Sequence, residues 1–439
     1  MNLTPLRISI AITARPQSST VARLLDALAC QTVAPQEFEV VVALGDGDDP
    51  AALRSKATPF RLKVVTSRPG RSAARNAAAR EASSPLLLFL ADDLDPHATL
   101  IDAHLASHAK VPGRILVGAY APSPASSSVP APYLAMAVRA RWHDVFTALR
   151  RRDHRYSFRD CLGGNLSIST ELFDQLGGFR EEFVGPRGDH ELGARAILRG
   201  VSIGFVPAAA ALRLHAAPTS ARAAFAQARD EALGDALLGS LHPGLRVALR
   251  LSDMGAPTML FERLHHRLTF DFPRLADRFA GLVAGLLIVA ERLQLRSRWY
   301  RIYEWLERHW YLRGLVTQFA TREALDRFVS EGRAADRVAP PCVVDLRHGI
   351  DYAASEIDRV RPSSIHIVFD DTVVGDIAHV PGAEPLRGIH LRAALANDLV
   401  TPLFQVLTKV IAAAGPPTHC RRPSDRPWPP LGLGVLGGH

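Results

Sequence analysis

The chain has 439 residues, 47% hydrophobic and 22% charged, with 52 Lys+Arg against 44 Asp+Glu and a formal net charge of +8. That length exceeds one hydrophobic core, and that composition excludes a disordered or collagenous chain. The basic excess is carried by arginine in an alanine-rich sequence whose only lysines are Lys56, Lys63, Lys110 and Lys409, so it does not call for a polyanion and no nucleic-acid partner is expected.

In chain order, the opening MNLTPLRISIAITARP interrupts any signal-peptide core with a Pro and an Arg and reads as a first strand. Ser18, Ser19 and Thr20 then offer helix caps, and Val21, Leu24, Leu25 and Leu28 fall at the i, i+3, i+4, i+7 spacing of an apolar helix face. EVVVAL is a second strand of the kind covered on both faces, closed by the acidic, Gly-containing loop GDGDDP. LKVVT, SAARNAAAREA and LLLFL continue as strand, helix and strand. Alternation of this type predicts an α/β fold with a mainly parallel sheet, and ligands then lie beyond the carboxyl ends of the strands. Asp46, Asp48, Asp49, Asp92, Asp93 and Asp95 all fall at such ends.

Residues from about 121 to 132 form a Pro/Ser-rich loop of the type that covers a site or links elements. A second block, from about Asp160 to His215, carries CLGGNLSIS, the helix signature STELFDQLGGF and VGPRGDHELGARAILRG, with Asp189 at a helix start favoured by the helix dipole. After about Pro218 the pattern turns helical. FAGLVAGLLIVA, Phe279 to Ala290, is shorter than the ~20 apolar residues of a membrane span and predicts a buried or interfacial helix. The Trp/Tyr/Arg stripe from Trp299 to Tyr311 reads as packing, an oligomer contact or a basic aromatic face for a lipid surface. VVDL and IHIVFDDTVVGDIAHV predict a small α+β unit with Asp370-Asp371 at a hairpin turn, closed by a helix from about His390 to Ala414. Its VPGAEPLRGIHLRAALA string reads as part of a recognition or assembly domain, and the Pro/Gly/Arg-rich tail from Gly415 is expected to be disordered. The expected organisation is 1–218, 219–338, 339–414 and the tail 415–439.

Cys30, Cys161, Cys342 and Cys420 form no C-x-x-C pair and signal neither zinc nor a disulfide framework, so a cytoplasmic protein is expected. The chemistry concentrates in LLLFLADDLDP, where an apolar run breaks into carboxylates. Either the strand reaches water there, or the acids hold a hard divalent cation; Mg²⁺ takes one or two carboxylates and shares its remaining sites with phosphates and water.

The ordered motifs EVVVALGDGD, GRSAARNAAA, FLADDLDP, GGNLSIS, LGGFREEF and GDHELGAR, spread over about residues 7–218, resemble those of family 2 glycosyltransferases with the GT-A fold. The resemblance implies a metal-dependent, inverting transfer of sugar from a nucleotide-diphosphate donor, with UDP expected, to a hydroxyl of a glycan, lipid-linked or small-molecule acceptor, in cell-surface polysaccharide or glycoconjugate assembly. It implies Mg²⁺ or Mn²⁺ held by Asp93 and His215, a donor-nucleotide set of Thr13, Arg15, Asp46, Arg75, Asn76 and Asp92, and acceptor or sugar contacts at Asn165 and Glu191. Asp189 takes the place of the general base, which removes the proton of the acceptor hydroxyl. Structural readings stand beside these: Asp189 as a helix N-cap, Glu191 paired with an arginine, Arg75 solvated, His215 a surface or core histidine, and His265-His266 without chemistry. Ala91 and Gly188 stand where the family has acids, and ALGDGD blurs its DDGS motif. Two rivals follow. One is a catalytically degenerate nucleotide- or glycan-binding protein; the other is a nucleotidyltransferase, although ISIAITARPQSST lacks the glycines of its phosphate loop. Further partners are expected through residues 276–313, as a peripheral contact at the inner membrane face or as a homo-oligomer.

Overall fold

The computed structural model describes residues 5–14, 20–45, 50–122, 132–214, 218, 220–254, 259–336 and 339–414. Arg15, Asp46 and His215 lie outside the described residues, as do most of the Pro/Ser-rich loop and the tail from Gly415.

The first part runs β1 (Ile8–Thr13), α1 (Thr20–Ala29), β2 (Phe38–Leu44), α2 (Ala51–Arg54), β3 (Arg61–Thr66), α3 (Arg71–Arg80), β4 (Leu86–Ala91), β5 (Leu94–Pro96), α4 (Leu100–Lys110), β6 (Ile115–Pro122), α5 (Pro132–Arg150), β7 (Asn165–Ser169), α6 (Thr170–Leu176), α7 (Gly188–Leu198) and β8 (Ile203–Arg213). These strands make one sheet in the order β3-β2-β1-β4-β7-β6-β8-β5. β7 and β5 run against the other strands, so the sheet is mostly parallel, as the alternation predicts. Alternate residues of each strand feed two cores: Ile8, Ile10 and Ile12 pack toward α1 on one face, and Ala11, Val41 and Phe89 toward α3 and α6 on the other. That is why β1, β2 and β4 are apolar at nearly every position rather than at every second one. In α1 the predicted stripe Val21, Leu24, Leu25 and Leu28 is buried, each side chain contributing about 1.5–3 kcal/mol before conformational entropy.

The strand order reverses beside β1: β2 and β3 lie to one side, β4 to the other. Thr13 is level with Ala43 of β2 and Ala91 of β4, so the carboxyl ends of all three strands share one edge. This switch point is where a parallel α/β sheet leaves a crevice.

The helical part comprises α8 (Ala221–Leu241), α9 (Leu260–Asp271), α10 (Pro273–Arg292), α11 (Arg296–Val316) and α12 (Arg322–Ala335). The last part has β9 (Cys342–Asp345), α13 (Ile350–Val360), β10 (Ile365–Phe369), β11 (Thr372–Ile377), α14 (Gly388–Ala396) and α15 (Val400–Ala414) around a three-stranded sheet. The single closing helix expected from His390 to Ala414 is two helices, because the chain breaks at Asn397 to Leu399, where Leu399 turns onto Gly375 of β11. The turn at Asp370 is present, with Asp370 in the left-handed region at φ 59°.

The PGAEP string docks this last part onto the segment ahead of β7. Phe158 N–H donates to Gly382 O (2.9 Å) and Glu384 N–H to Tyr156 O (2.7 Å). Arg155 donates to the carbonyls of Ser363 (2.9 Å), Ala378 (3.3 Å) and Glu384 (2.8 Å). Gly382, at φ 72°, lies against the Phe158 ring with no room for a Cβ.

Candidate active site

Four segments converge at the switch-point edge. β4 ends at Ala91 and turns through Asp92 and Asp93 into β5. Ala91 N–H donates to Gly164 O (2.9 Å), which fixes the Gly163-Gly164 loop ahead of β7 against the end of β4. Gly163 N–H in turn donates to Asp189 Oδ2 (2.9 Å), and Gly163 O accepts from Arg75 Nη2 (2.9 Å) of α3. The loop is glycine for a steric reason: a Cβ on Gly163 would strike the Arg75 guanidinium, and one on Gly164 the Tyr120 ring.

Asp189 lies in the first turn of α7. Its Oδ1 also accepts from the backbone N–H of His190 (3.0 Å). Burial pushes its pKa up, but the charges of His190 and Arg75 and the two backbone N–H donors outweigh that, so the carboxyl is held below the usual carboxylate range. It is therefore ionised at neutral pH and can accept a proton. Arg187, just before the helix, sits in the left-handed region at φ 83°. Its guanidinium is held by Asp235 (2.6 Å) and Glu231 (3.1 Å) of α8, and Tyr311 of α11 donates to the same Asp235 (2.6 Å). The helical part thus clamps the residue that sets where α7 begins. Gly188 packs against Ser72, and a side chain in place of its hydrogen would collide with the Ser72 hydroxyl.

Asp92 and Asp93 are both buried at the end of β4. Asp93 pairs with Arg213 Nε of β8 (3.3 Å), and its carbonyl accepts from Leu214 N–H (2.8 Å). Arg213 also lies over the rings of Tyr120 (5.2 Å) and Trp142 (5.7 Å). Tyr120 is buried, and its hydroxyl pKa is raised, first by that burial, with the charge of Asp189 adding and Arg213 and Arg75 opposing, so the phenol stays protonated. Two buried carboxylates offering only oxygen ligands, one of them already compensated by a cation, fit a hard divalent ion shared with substrate phosphates. Among the described residues no group of three or more His, Cys, Asp or Glu gathers to hold a metal by itself.

The other expected residues divide sharply. Thr13 stands at the carboxyl end of β1, level with Ala91. Asn76 instead clasps the LGGF turn, accepting from Phe179 N–H (2.9 Å) and donating to Phe179 O (2.8 Å) and Glu181 (3.2 Å). Asn165, expected to touch acceptor or sugar, is fully buried: it donates to Ala209 O (2.9 Å) and Ala119 O (3.4 Å) and meets His104 (2.9 Å), which ties β7 to β6, β8 and α4. Glu191 is fully buried as well, paired with Arg195 (2.7 Å), Arg180 (3.1 Å) and His242 (3.1 Å), the arginine-pairing reading rather than the acceptor one. Neither side chain reaches the crevice, because its hydrogen-bonding atoms are already engaged inside the protein. Arg213 and Tyr120 are the site residues that sequence reasoning missed; the one signal was the position of Arg213 two residues before His215 in LRLH.

A model described as glycosyl transferase family 2 matches residues 9–177, and one described as the N-terminal domain of galactosyltransferase matches residues 143–216. Two proteins of Streptomyces hygroscopicus, both named validoxylamine A glucosyltransferase, are similar to the chain. That of subsp. limoneus is 31% identical over 224 residues, covering 44% of this chain and 48% of its own; that of subsp. jinggangensis is 30% identical over 224 residues, covering 44% and 52%. The chain thus spans about half the length of the curated relatives it matches. Among solved structures, S. aureus TarS in complex with UDP-GlcNAc superposes at TM-score 0.40 and 15% identity over 68% of this chain and 91% of that one. The Pyrobaculum calidifontis mannosyltransferase PcManGT, in complex with GDP-Man and Mn²⁺, superposes at 0.42 and 14% over 75% and 86%. Those superpositions are loose, and the assignment stands on the motif order, the strand order and the family match: residues 9–177 are a glycosyl transferase family 2 domain of GT-A type.

Proposed function

We propose that the protein is an inverting glycosyltransferase that moves a sugar from a nucleotide-diphosphate sugar, UDP-linked by preference, to an acceptor hydroxyl on a glycan, a lipid-linked molecule or a small molecule. The observation that supports the reading is the hydrogen bond from Gly163 N–H to Asp189 (2.9 Å), on the loop that Ala91 N–H holds beside the Asp92-Asp93 turn. In this reading Asp189 takes the acceptor hydroxyl proton, the freed oxygen bonds to the anomeric carbon, and the bond from that carbon to the diphosphate breaks, so the electron pair leaves with the nucleoside diphosphate. Arg75 keeps Asp189 charged and fixes the Gly163 loop, and Thr13 borders the donor crevice. Asp93, with Asp92 beside it and His215 as a further ligand, would hold Mg²⁺ or Mn²⁺, which when bound offsets the negative charge of the departing diphosphate. The names of the two Streptomyces relatives favour a glucosyl donor. Polysaccharide or glycoconjugate assembly in the cytoplasm is the setting this reading favours.

The test is thermal stabilisation by UDP-, GDP-, dTDP- and CMP-sugars with and without Mn²⁺, followed by transfer assays. Metal-dependent stabilisation by one nucleotide class, lost in Asp93→Asn, is the expected result; no stabilisation by any of them rejects the donor site. A second reading, a binding protein without turnover, is favoured by the Asp93–Arg213 pair, which already neutralises the metal-facing acid. Stabilisation without transfer to any acceptor would select it.

A further inference from the structure

Helix α10 presents an apolar seam to solvent. Leu275, Phe279, Leu282, Leu286, Val289 and Leu293 recur at alternating spacings of four and three, and all are exposed, by 44% at Phe279 to 76% at Leu282. The adjoining face, Ala276, Ala280, Leu287 and Ala290, is the one buried against the rest of the protein. The preceding α9 extends the surface with Leu260, Phe261 and Leu264, and Phe272 bridges the two helices. Contiguous exposed apolar surface of this extent marks an interaction site.

Charge selects the occupant. Arg274, Arg278 and Arg292 each immediately precede a seam residue and so line one flank of the stripe; all three are exposed and have no carboxylate partner among the described residues. The two acids of α10 lie off the seam: Asp277 is held by Arg313 (2.6 Å), and Glu291 faces a cavity of about 830 Å³ between α8, α10 and α11. In a coiled coil with a second copy, Arg278 and Arg292 would need acids across the seam. The facing positions are Ala276, Val283 and Ala290 in a parallel pair and the same arginines in an antiparallel one, so self-association meets either no partner or repulsion. An apolar stripe with an unpaired arginine flank complements an anionic lipid surface, with the leucines in the acyl boundary and the guanidinium groups at the headgroup phosphates. The cavity lies on the other side of α10, where Phe225, Ala284, Leu287, Ile288 and Trp299 wall it together with Arg222, Arg229, Asp230 and Glu291, and no seam residue lines it. We infer that α9 and α10 dock the protein on the surface of an anionic lipid bilayer, without spanning it; no helix among the described residues is long and apolar enough to cross a membrane.

The experiment is co-sedimentation of the full chain with vesicles of phosphatidylcholine mixed with phosphatidylglycerol, compared with phosphatidylcholine alone. The chain is expected to pellet with the anionic vesicles and far less with the neutral ones. Leu282→Asp with Leu286→Asp should abolish pelleting with the melting temperature unchanged, because both side chains are already in solvent. Arg278→Gln with Arg292→Gln should weaken partition about fivefold for each arginine removed, and decides the matter alone if the aspartate pair fails to fold. A wild-type chain that stays in the supernatant, or arginine variants that pellet like wild type, overturns the inference. A chain without vesicle affinity that scatters light as a dimer, and as a monomer in the aspartate pair, overturns it in favour of a second copy.

Discussion

Asp189 and Glu191 stand two residues apart in the first turn of α7, yet they lie in opposite kinds of surroundings. Asp189 faces the sheet edge, where, against its burial, the charges of His190 and Arg75 and two backbone N–H groups hold it charged, and no arginine side chain pairs with it directly among the described residues. Glu191 faces inward and is enclosed by Arg195, Arg180 and His242. Backbone donors orient a carboxylate and leave it a lone pair for chemistry, whereas two guanidinium groups and an imidazole consume its acceptor capacity and make it a tether between α7, the LGGF turn and the end of α8. Position on a helix therefore says less about an acid's role than the identity of its donors.

Substitutions at the two acids break this comparison most strongly. Asp189→Asn keeps the shape and removes the base; turnover is expected to fall about 10²–10⁴-fold while sugar-nucleotide stabilisation persists, and full activity would remove Asp189 from the mechanism. Glu191→Ala should leave two arginines facing a hole and cost about 3–5 kcal/mol of stability, read from urea unfolding. If Glu191→Ala unfolds like wild type but loses acceptor affinity, the tether assignment is wrong. A smaller effect is expected at Arg155, whose guanidinium reaches three backbone carbonyls of the last part: Arg155→Ala should loosen that part by about 1–3 kcal/mol, seen as faster proteolysis between residues 336 and 388.

The finest test is pH. Because the folded pKa of Asp189 lies below its unfolded value, its charge stabilises the fold above the ordinary carboxylate pKa of 3.8, and that contribution is lost as pH falls through the folded value. The acid limb of the rate profile should accordingly lie lower than for an ordinary aspartate. Arg75→Gln removes one of the charges that lowers it, so the limb should move to higher pH; an unmoved limb would show that Arg75 acts on loop shape alone.

Local pattern in the chain was sufficient for β1 to β4, the α1 stripe, the α7 start and the acidic turn after β4, since each depends on periodicity, caps and burial within a few neighbours, whereas β5, β6 and β8 carried no such signal. The motif order carried the family. What it could not carry was which acid meets which cation. Asp93 finds Arg213 120 residues away because β5 adds to the sheet against β8, and Asn165 and Asn76 become internal clasps because strands and turns distant in sequence close over them. Likewise FAGLVAGLLIVA reads as simply apolar until packing assigns one face of α10 to the interior and leaves the other in solvent. Short-range periodicity is written in neighbouring residues, whereas the donors around a carboxylate and the free face of a helix exist only after the sheet has brought remote segments together.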